Sequence, residues 1–394
     1  MIKNEYGPTL NISEEIHAMK YRSEGETFRE AMTRVAESLK DNESHFDNFR
    51  TILYNQRFLP AGRVQSAMGA PRKVTPYNCF VSGTIEDSMS GIMDAAKNAA
   101  RTMQLGGGIG YDFSTLRPHG ALIRSLESRS SGPMSFMGIF DSICKTIASA
   151  GHRRGAQMGV LRVDHPDIEK FIRAKNNSTD LTQFNISVGV TDEFMEAVKS
   201  DSDFDLVFED RVYKTVSARA LWDDILRSTW DWAEPGILFI DRINKKNNLW
   251  YCEKIAATNP CGEQPLPPYG ACLLGSFNLT QYIVKHDGKY VFNMNMLKND
   301  IPHVVRAMDN VVDRATYPLP QQEEEAKNKR RMGLGVTGVA NAIEAMGFEY
   351  GSDGFIRQLE TIMEVIRDGC YLTSVELALE KGSFPLYNPM YMDS

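Results

Sequence analysis

The most informative stretch of this sequence is Asn259-Pro260-Cys261-Gly262-Glu263-Gln264-Pro265-Leu266, which sets a thiol, a carboxylate and an amide within five residues. Pro260 removes a backbone donor and Gly262 permits a positive φ, so the stretch predicts a tight loop. Cys261 and Glu263 lie two residues apart and can face the same side of that loop. Loops held by a rigid scaffold often carry chemistry. A buried turn with an inert, apolar cysteine is the alternative interpretation.

Two other cysteines lie in apolar, strand-like surroundings. Cys272 follows eleven residues after Cys261, within Tyr269-Gly270-Ala271-Cys272-Leu273-Leu274-Gly275-Ser276-Phe277-Asn278-Leu279. Cys79 lies far upstream, within Pro76-Tyr77-Asn78-Cys79-Phe80-Val81. The remaining three cysteines lie in no such motif, and we expect ordinary buried or surface thiols at Cys144, Cys252 and Cys370.

These three segments resemble the catalytic, or large, subunit of ribonucleotide reductase. The loop from Asn259 to Leu266 is most similar to the adenosylcobalamin-dependent branch, and short viral large subunits are also similar. The resemblance extends from about Phe58 to the C-terminus. Several segments that occur in the same order as in the family are more specific than any single motif. Besides the three cysteine segments, the matching segments are Leu59-Pro60-Ala61-Gly62-Arg63, Gly106-Gly107-Gly108-Ile109-Gly110, His152-Arg153-Arg154-Gly155-Ala156, Val163-Asp164-His165-Pro166-Asp167 and Phe184-Asn185-Ile186-Ser187.

The fold class follows partly from pattern and partly from this resemblance. Short strand-like runs alternate with helical runs from Tyr77 onward, which predicts an α/β fold with parallel strands. The resemblance implies a ten-stranded α/β barrel with the Cys261 loop at its centre. We expect a helical N-terminal segment at residues 1–57, with no ATP cone, followed by the catalytic barrel domain at residues 58–394. Because relatives continue beyond the position of Ser394, we expect the C-terminal part of the barrel to be missing.

The resemblance also implies a radical reduction of ribonucleotides, most simply ribonucleoside diphosphates, to 2′-deoxyribonucleotides. Cys261 matches the cysteine that carries the thiyl radical, and Glu263 matches the general base. Asn259 matches the amide that orients the sugar. Cys79 and Cys272 match the dithiol that supplies two electrons by closing to a disulfide, which a thioredoxin- or glutaredoxin-type partner reopens.

Regulation and assembly are expectations of the same kind. Relatives bind a deoxynucleoside triphosphate or ATP effector at the interface of a homodimer. The matching positions here are Asp87, Gln104, Arg117 and Arg124, together with Arg153 and Arg154 in a glycine-flanked loop from Ser149 to Gln157.

The source of the radical is left open by the sequence. The Asn259 to Leu266 stretch favours adenosylcobalamin as the cofactor. The alternative is that no cofactor binds and that a small subunit with two metal ions supplies the radical. A separately encoded C-terminal companion fragment is a further expected partner.

Composition excludes several other classes. A net charge of −7 argues against a general nucleic-acid binder, which needs a basic face. The sequence has no signal-like N-terminus and no apolar run of membrane-spanning length, so we expect a cytoplasmic protein that does not contact membranes. Six scattered cysteines form no zinc-binding spacing, and no metal site is expected.

Two other functions remain as alternatives. Gly333-Leu334-Gly335-Val336-Thr337-Gly338 satisfies the dinucleotide fingerprint, which would indicate an NAD-dependent oxidoreductase. That fingerprint should follow a strand, whereas a basic segment precedes it here. The other alternative is a remnant that binds nucleotides without catalysis.

Overall fold

The structure is a computed structural model that describes residues 7–123, 126–147, 155–176 and 179–392. The helices are α1 Asn11–Tyr21, α2 Phe28–Leu39, α3 Glu43–Tyr54, α4 Gly62–Ala67, α5 Met89–Gln104, α6 Pro133–Thr146, α7 Ile168–Ile172, α8 Asp192–Ser200, α9 Ala218–Trp232, α10 Ile240–Lys245, α11 Met294–Arg314, α12 Pro320–Lys329, α13 Val339–Ala345, α14 Asp353–Lys381 and α15 Pro389–Met392. A 3₁₀ helix covers Leu279–Tyr282.

The strands are mostly short. They are β1 Phe58–Pro60, β2 Cys79–Val81, β3 Gly108–Asp112, β4 Leu122–Ile123, β5 Ser128–Arg129, β6 Gln157–Arg162, β7 Phe184–Val190, β8 Asp203–Phe208, β9 Arg211–Ser217, β10 Gly236–Phe239, β11 Ala257–Thr258, β12 Pro265–Leu266, β13 Ala271–Cys272, β14 Leu274–Asn278, β15 Ile283–His286, β16 Lys289–Phe292 and β17 Gly333–Thr337.

The chain divides into two compact units, each built from several segments. The first unit contains residues 1–78, 273–317 and 326–387, and the second contains residues 79–272, 318–325 and 388–394. This division does not test the predicted domain boundary after residue 57, which stays a prediction.

The first unit begins with helices that the sequence predicts. Helix α2 starts at a capping box, in which Thr27 and Glu30 satisfy each other's backbone donors. Its residues at helical spacing, Phe28, Met32 and Val35, are buried against the rest of the unit. Helices α1 to α3 all lie before residue 58, where the sequence predicts a helical segment.

A three-stranded sheet also belongs to the first unit, in the order β1-β14-β17. Strand β17 contains five of the six fingerprint residues, from Gly333 to Thr337, and pairs in parallel with β14. The dinucleotide fingerprint requires those glycines in a turn between a strand and a helix. Here most of them form the strand itself, so this context contradicts a dinucleotide site.

The second unit is organised around a six-stranded sheet in the order β10-β7-β6-β3-β2-β13. The first five strands pair in parallel, and β13 pairs with β2 in antiparallel fashion. Parallel strands buried on both faces are mostly apolar, and β7 is buried from Ile186 to Val190 and is apolar there except for Ser187. The alternation of strands and helices therefore predicts this parallel sheet correctly.

Aromatic residues fill the core of the second unit. Tyr111 of β3 and Phe113, just after this strand, contact Phe140 of α6 and Phe184 of β7, with the ring centroids of Tyr111 and Phe140 4.9 Å apart. All four rings are almost fully buried. This packing holds the parallel strands rigidly, and their ends support the site described below.

The described residues thus form a mixed α/β structure with a six-stranded and a three-stranded sheet as its largest sheets. The predicted total of ten barrel strands is a finer statement and stays a prediction. Among the described helices, none combines the length and apolar character needed to cross a membrane.

Candidate active site

The stretch from Asn259 to Gln264 is the loop of a short hairpin in the second unit. Strands β11 and β12 flank it and pair in antiparallel fashion. Gly262 has a φ of 82°, a left-handed conformation that favours glycine. Its backbone N–H donates to the carbonyl of Asn259 over 3.0 Å, which closes the turn. The tight loop predicted from Pro260 and Gly262 is confirmed.

Asn259 has two roles in this loop. Its side-chain oxygen accepts a hydrogen bond from the backbone N–H of Gln264 over 2.9 Å, which fixes the loop from inside. The residue is completely buried. Its side-chain nitrogen, Nδ2, is also buried and has no hydrogen-bond partner in the described structure. A buried donor without an acceptor is costly, so this amide is ready to bind an oxygen of a ligand.

The reactive side chains of the loop lie on its open side. Cys261 and Glu263 are both solvent-exposed, whereas Asn259 and Pro260 between β11 and Cys261 are buried. The thiol and the carboxylate are therefore accessible to a substrate.

Two glycines of β3 allow the loop to pack closely on the sheet. A Cβ on Gly110 would lie 1.8 Å from the carbonyl oxygen of Thr258, and one on Gly108 would lie 2.9 Å from Cγ of Pro260. The amide of Asn185, on β7, donates to the carbonyl of Pro260 over 2.7 Å. These contacts fix the backbone on the N-terminal side of Cys261.

Cys79 and Cys272 are directly opposite each other on neighbouring strands, β2 and β13. Opposed residues of an antiparallel pair have Cα atoms about 4.5–5.5 Å apart, which is within the roughly 7 Å that a disulfide can bridge. Both side chains are buried, and no disulfide joins them in this structure. The fold thus brings together two cysteines that the sequence separates by 193 positions.

The dithiol and the loop share one environment. Burial raises the pKa of the Cys272 thiol well above its ordinary value, and the neighbouring Cys79, Glu263 and Cys261 raise this pKa further. The site of Cys79 also adjoins the loop, because a Cβ on Gly108 would be 3.5 Å from Sγ of Cys79. All five residues predicted as catalytic therefore belong to one region of the second unit.

Only part of the predicted effector site is brought together. The guanidinium Nε of Arg117 donates to the carboxylate of Asp87 over 2.6 Å. Asp87 lies two residues before the start of α5, and Gln104 is the last residue of this helix. The length of the helix, about 24 Å, therefore separates Gln104 from Asp87. Arg124, Arg153, Arg154 and most of the loop from Ser149 to Gln157 lie outside the described residues.

Sequence reasoning missed the residues that support the loop. Asn185 lies in a segment that carries the family resemblance, but nothing in that segment predicts its contact with Pro260. Gly110 likewise ends a glycine-rich segment of the sequence. Only the structure shows why a glycine is needed there, because the carbonyl of Thr258 leaves no room for a side chain. The described residues contain no group of three or more His, Cys, Asp or Glu side chains suited to hold a metal ion.

Comparison with known proteins identifies the family. Residues 77–394 match the family model described as the barrel domain of ribonucleotide reductase. The chain belongs to the ribonucleotide reductase family.

Individual relatives agree with this assignment. The chain is 37% identical over 365 residues to the vitamin B12-dependent ribonucleoside-diphosphate reductase of Thermoplasma acidophilum, which covers 92% of this chain and 47% of that protein. It is 39% identical over 345 residues to a protein of the same name from Mycobacterium tuberculosis strain H37Rv, covering 86% of this chain and 48% of that protein.

A viral relative is more distant. The ribonucleoside-diphosphate reductase large subunit of vaccinia virus is 28% identical over 347 residues, which cover 80% of this chain and 44% of the viral protein. The chain thus spans about half the length of the curated relatives it matches.

Proposed function

We propose that this chain contributes the catalytic site of a ribonucleotide reductase, which replaces the 2′-hydroxyl of a ribonucleotide by hydrogen. One observation carries the proposal. Cys79 and Cys272 are opposed on adjacent strands beside a loop that presents Cys261 and Glu263. A dithiol can supply two electrons, and a separate accessible thiol can carry a radical, so one site holds both functions that this reaction needs.

The chemistry assigns one task to each side chain. A thiyl radical on Cys261 takes the 3′-hydrogen of the ribose, and the Glu263 carboxylate accepts the 3′-hydroxyl proton. The 2′-hydroxyl then leaves as water. The dithiol of Cys79 and Cys272 delivers two electrons and two hydrogens and becomes a disulfide, and Cys261 returns the 3′-hydrogen. The sum is one ribonucleotide plus one dithiol giving one deoxyribonucleotide, one disulfide and water.

Asn259 is assigned to substrate positioning. Its Nδ2 is buried without an acceptor, so a sugar hydroxyl that accepts from it would satisfy this donor. Misplacement of a reacting group by about 1 Å can reduce a rate about a hundredfold. The internal hydrogen bond of Asn259 to Gln264 holds the amide in one orientation.

We propose adenosylcobalamin as the radical source, because the relatives from Thermoplasma acidophilum and Mycobacterium tuberculosis are named vitamin B12-dependent. The exposure of Cys261 fits such a group, since a buried thiol would be out of its reach. When bound, the cofactor supplies a carbon radical that removes the thiol hydrogen. The alternative is a small subunit with two metal ions, as the similarity to a viral large subunit suggests.

The substrate and the partners are proposed from the same relatives. Their names favour a ribonucleoside diphosphate as substrate. A thioredoxin- or glutaredoxin-type protein would reopen the disulfide. Cytoplasmic localisation is part of the same proposal.

We further propose a deoxynucleoside triphosphate effector at a homodimer interface. Asp87 and Arg117 lie together at one end of α5, and Gln104 lies at the other end. The assignments of Arg124, Arg153 and Arg154 rest on the resemblance alone.

The proposal is tested by one turnover of the assembled enzyme without external reductant, followed by peptide mapping of thiols. We expect a disulfide between Cys79 and Cys272 in amounts that match the product. Cys261→Ser should form neither product nor disulfide while still binding nucleotide. Glu263→Gln should slow the reaction about 10²- to 10⁴-fold, the range for a positioned base. Product formation with both buried thiols still free would disprove the assignment.

A further inference from the structure

A separate cavity of about 170 Å³ lies in the second unit, outside the residues assigned to reduction. The loop after β2, the first half of α5, and Tyr269 surround it, and Gln322 of α12 also lines it. We call it the acceptor pocket, because its polar walls are dominated by the side chains of Glu86, Asp94, Asn98 and Gln322. None of the residues that line it is Lys, Arg or His.

The amide of Gln322 is the decisive feature of the acceptor pocket. The residue is completely buried. Its Nε2 donates to Oγ1 of Thr102 over 3.2 Å. Oγ1 of Thr102 donates its own hydrogen to the carbonyl of Asn98 over 3.0 Å, so it can only accept from Gln322. This fixes which end of the amide is the oxygen.

Gln322 Oε1 is consequently an acceptor without a donor in the described structure. An unsatisfied buried acceptor is unfavourable, and its residue lines a cavity with room for more than one small group. The pocket therefore offers a fixed carbonyl oxygen to a ligand that donates a hydrogen bond.

Tyr269 forms an aromatic wall of the same pocket. Its φ of 64° is a left-handed conformation that is rare for a bulky residue. A Cβ on Gly83 would lie 2.3 Å from Oη of Tyr269, so the ring lies directly over this glycine. Strained residues concentrate at functional sites, and an aromatic wall can bind a cation through its ring face.

The charges at the mouth of the pocket are negative. Glu86 and Asp94 are both exposed, and Asp94 pairs with Lys97 over 2.8 Å. Because both members of that pair are exposed, it is weak and easily exchanged. Glu86 precedes α5 and can complement its N-terminus, but that role explains neither Asp94 nor the unpartnered oxygen of Gln322.

We propose that the acceptor pocket binds a guanidinium or alkylammonium group. The head group donates to Oε1 of Gln322 and is attracted by Asp94 and Glu86. Its carbon stem lies against Ile109 and Leu319, which also line the pocket. Anionic groups such as phosphates are disfavoured there. Ribonucleotide reduction does not require such a ligand, so this site goes beyond the proposed function.

The group belongs either to a free small molecule or to an Arg or Lys side chain of a protein segment. Titration of the whole chain with methylguanidinium and with methylammonium, followed by NMR, tests the shared chemistry. We expect saturable binding of at least one cation. Gln322→Met should weaken it about ten- to a hundredfold, the value of a hydrogen bond from a charged donor. Asp94→Asn should weaken it severalfold, and Glu193→Gln, an exposed carboxylate outside the pocket, should change nothing.

The source is distinguished by a second titration with acetyl-Ala-Arg-Ala-amide and acetyl-Ala-Lys-Ala-amide. Tighter binding of a peptide than of the free cation indicates a protein side chain, and equal binding indicates a small molecule. The proposal is overturned if neither cation binds saturably, or if Gln322→Met binds like the unaltered chain. Should Gln322→Met fail to fold, unchanged binding by Asp94→Asn, a surface variant, would overturn it equally.

Discussion

Replacing Gly110 by alanine should displace the loop that carries Cys261. A Cβ at this position would lie 1.8 Å from the carbonyl oxygen of Thr258, whereas real Cβ atoms essentially never come within 3.0 Å of another heavy atom. Strands β3 and β11 must therefore separate by at least 1.2 Å, the difference between these distances, and β11 leads directly into the loop. The obstructing atom belongs to a buried backbone, so no side-chain rotation relieves the clash.

The cost of Gly110→Ala can be estimated from similar changes. Overpacking a well-packed core costs about 1–3 kcal/mol of unfolding free energy. A displacement of about 1 Å at a reacting group can reduce a rate about a hundredfold. We expect both effects, because the moved backbone leads directly into Asn259 and Cys261.

Urea unfolding measures the loss of stability, and the rate of iodoacetamide reaction at Cys261 measures the displacement of the loop. Ribonucleotide reduction by the assembled enzyme measures the loss of catalytic rate. Gly138→Ala is the matched control. It lies within α6, and nothing is within 4 Å of its added Cβ. This control should stabilise the chain by about 0.5–1 kcal/mol. If Gly110→Ala matches the unaltered chain in stability and Cys261 reactivity, the inferred close packing is wrong.

Three further predictions concern the same unit. At pH 7.5, iodoacetamide should modify Cys261 while Cys272 stays unmodified, because Cys272 is buried and its pKa is raised; equal rates measured by mass spectrometry would contradict this. Asn185→Leu removes the donor to Pro260 and should cost about 1–3 kcal/mol, since the carbonyl loses its partner; unchanged urea unfolding would refute it. Burial raises the pKa of Cys144 to about 11, so the folded state holds this proton more tightly than the unfolded state. The Cys144 thiol should therefore lower stability between about pH 9 and 11 by at most about 1.4 kcal/mol per pH unit, and Cys144→Ala should remove this part of the slope in urea unfolding.

Local patterns in the sequence determine several features correctly. Pro260 and Gly262 fix a tight loop because each restricts or frees its own backbone, whatever surrounds it. The spacing of Phe28, Met32 and Val35 defines the buried face of α2, since a helix repeats every 3.6 residues. Alternating short strands and helices likewise indicate the parallel sheet. These features depend on neighbours along the chain, which the sequence displays directly.

Other features depend on residues that are far apart in the chain. Cys79 and Cys272 lie opposite each other only because β13 pairs with β2 in this register. No local sequence pattern encodes that register. Gly110 is required by the carbonyl of Thr258, which approaches from another strand. The unpartnered atoms of Asn259 and Gln322 are evident only once every neighbouring donor and acceptor has a position. The sequence alone therefore predicts the reactive residue types and the loop, whereas tertiary packing decides which of them meet and which polar atoms stay free to bind a ligand.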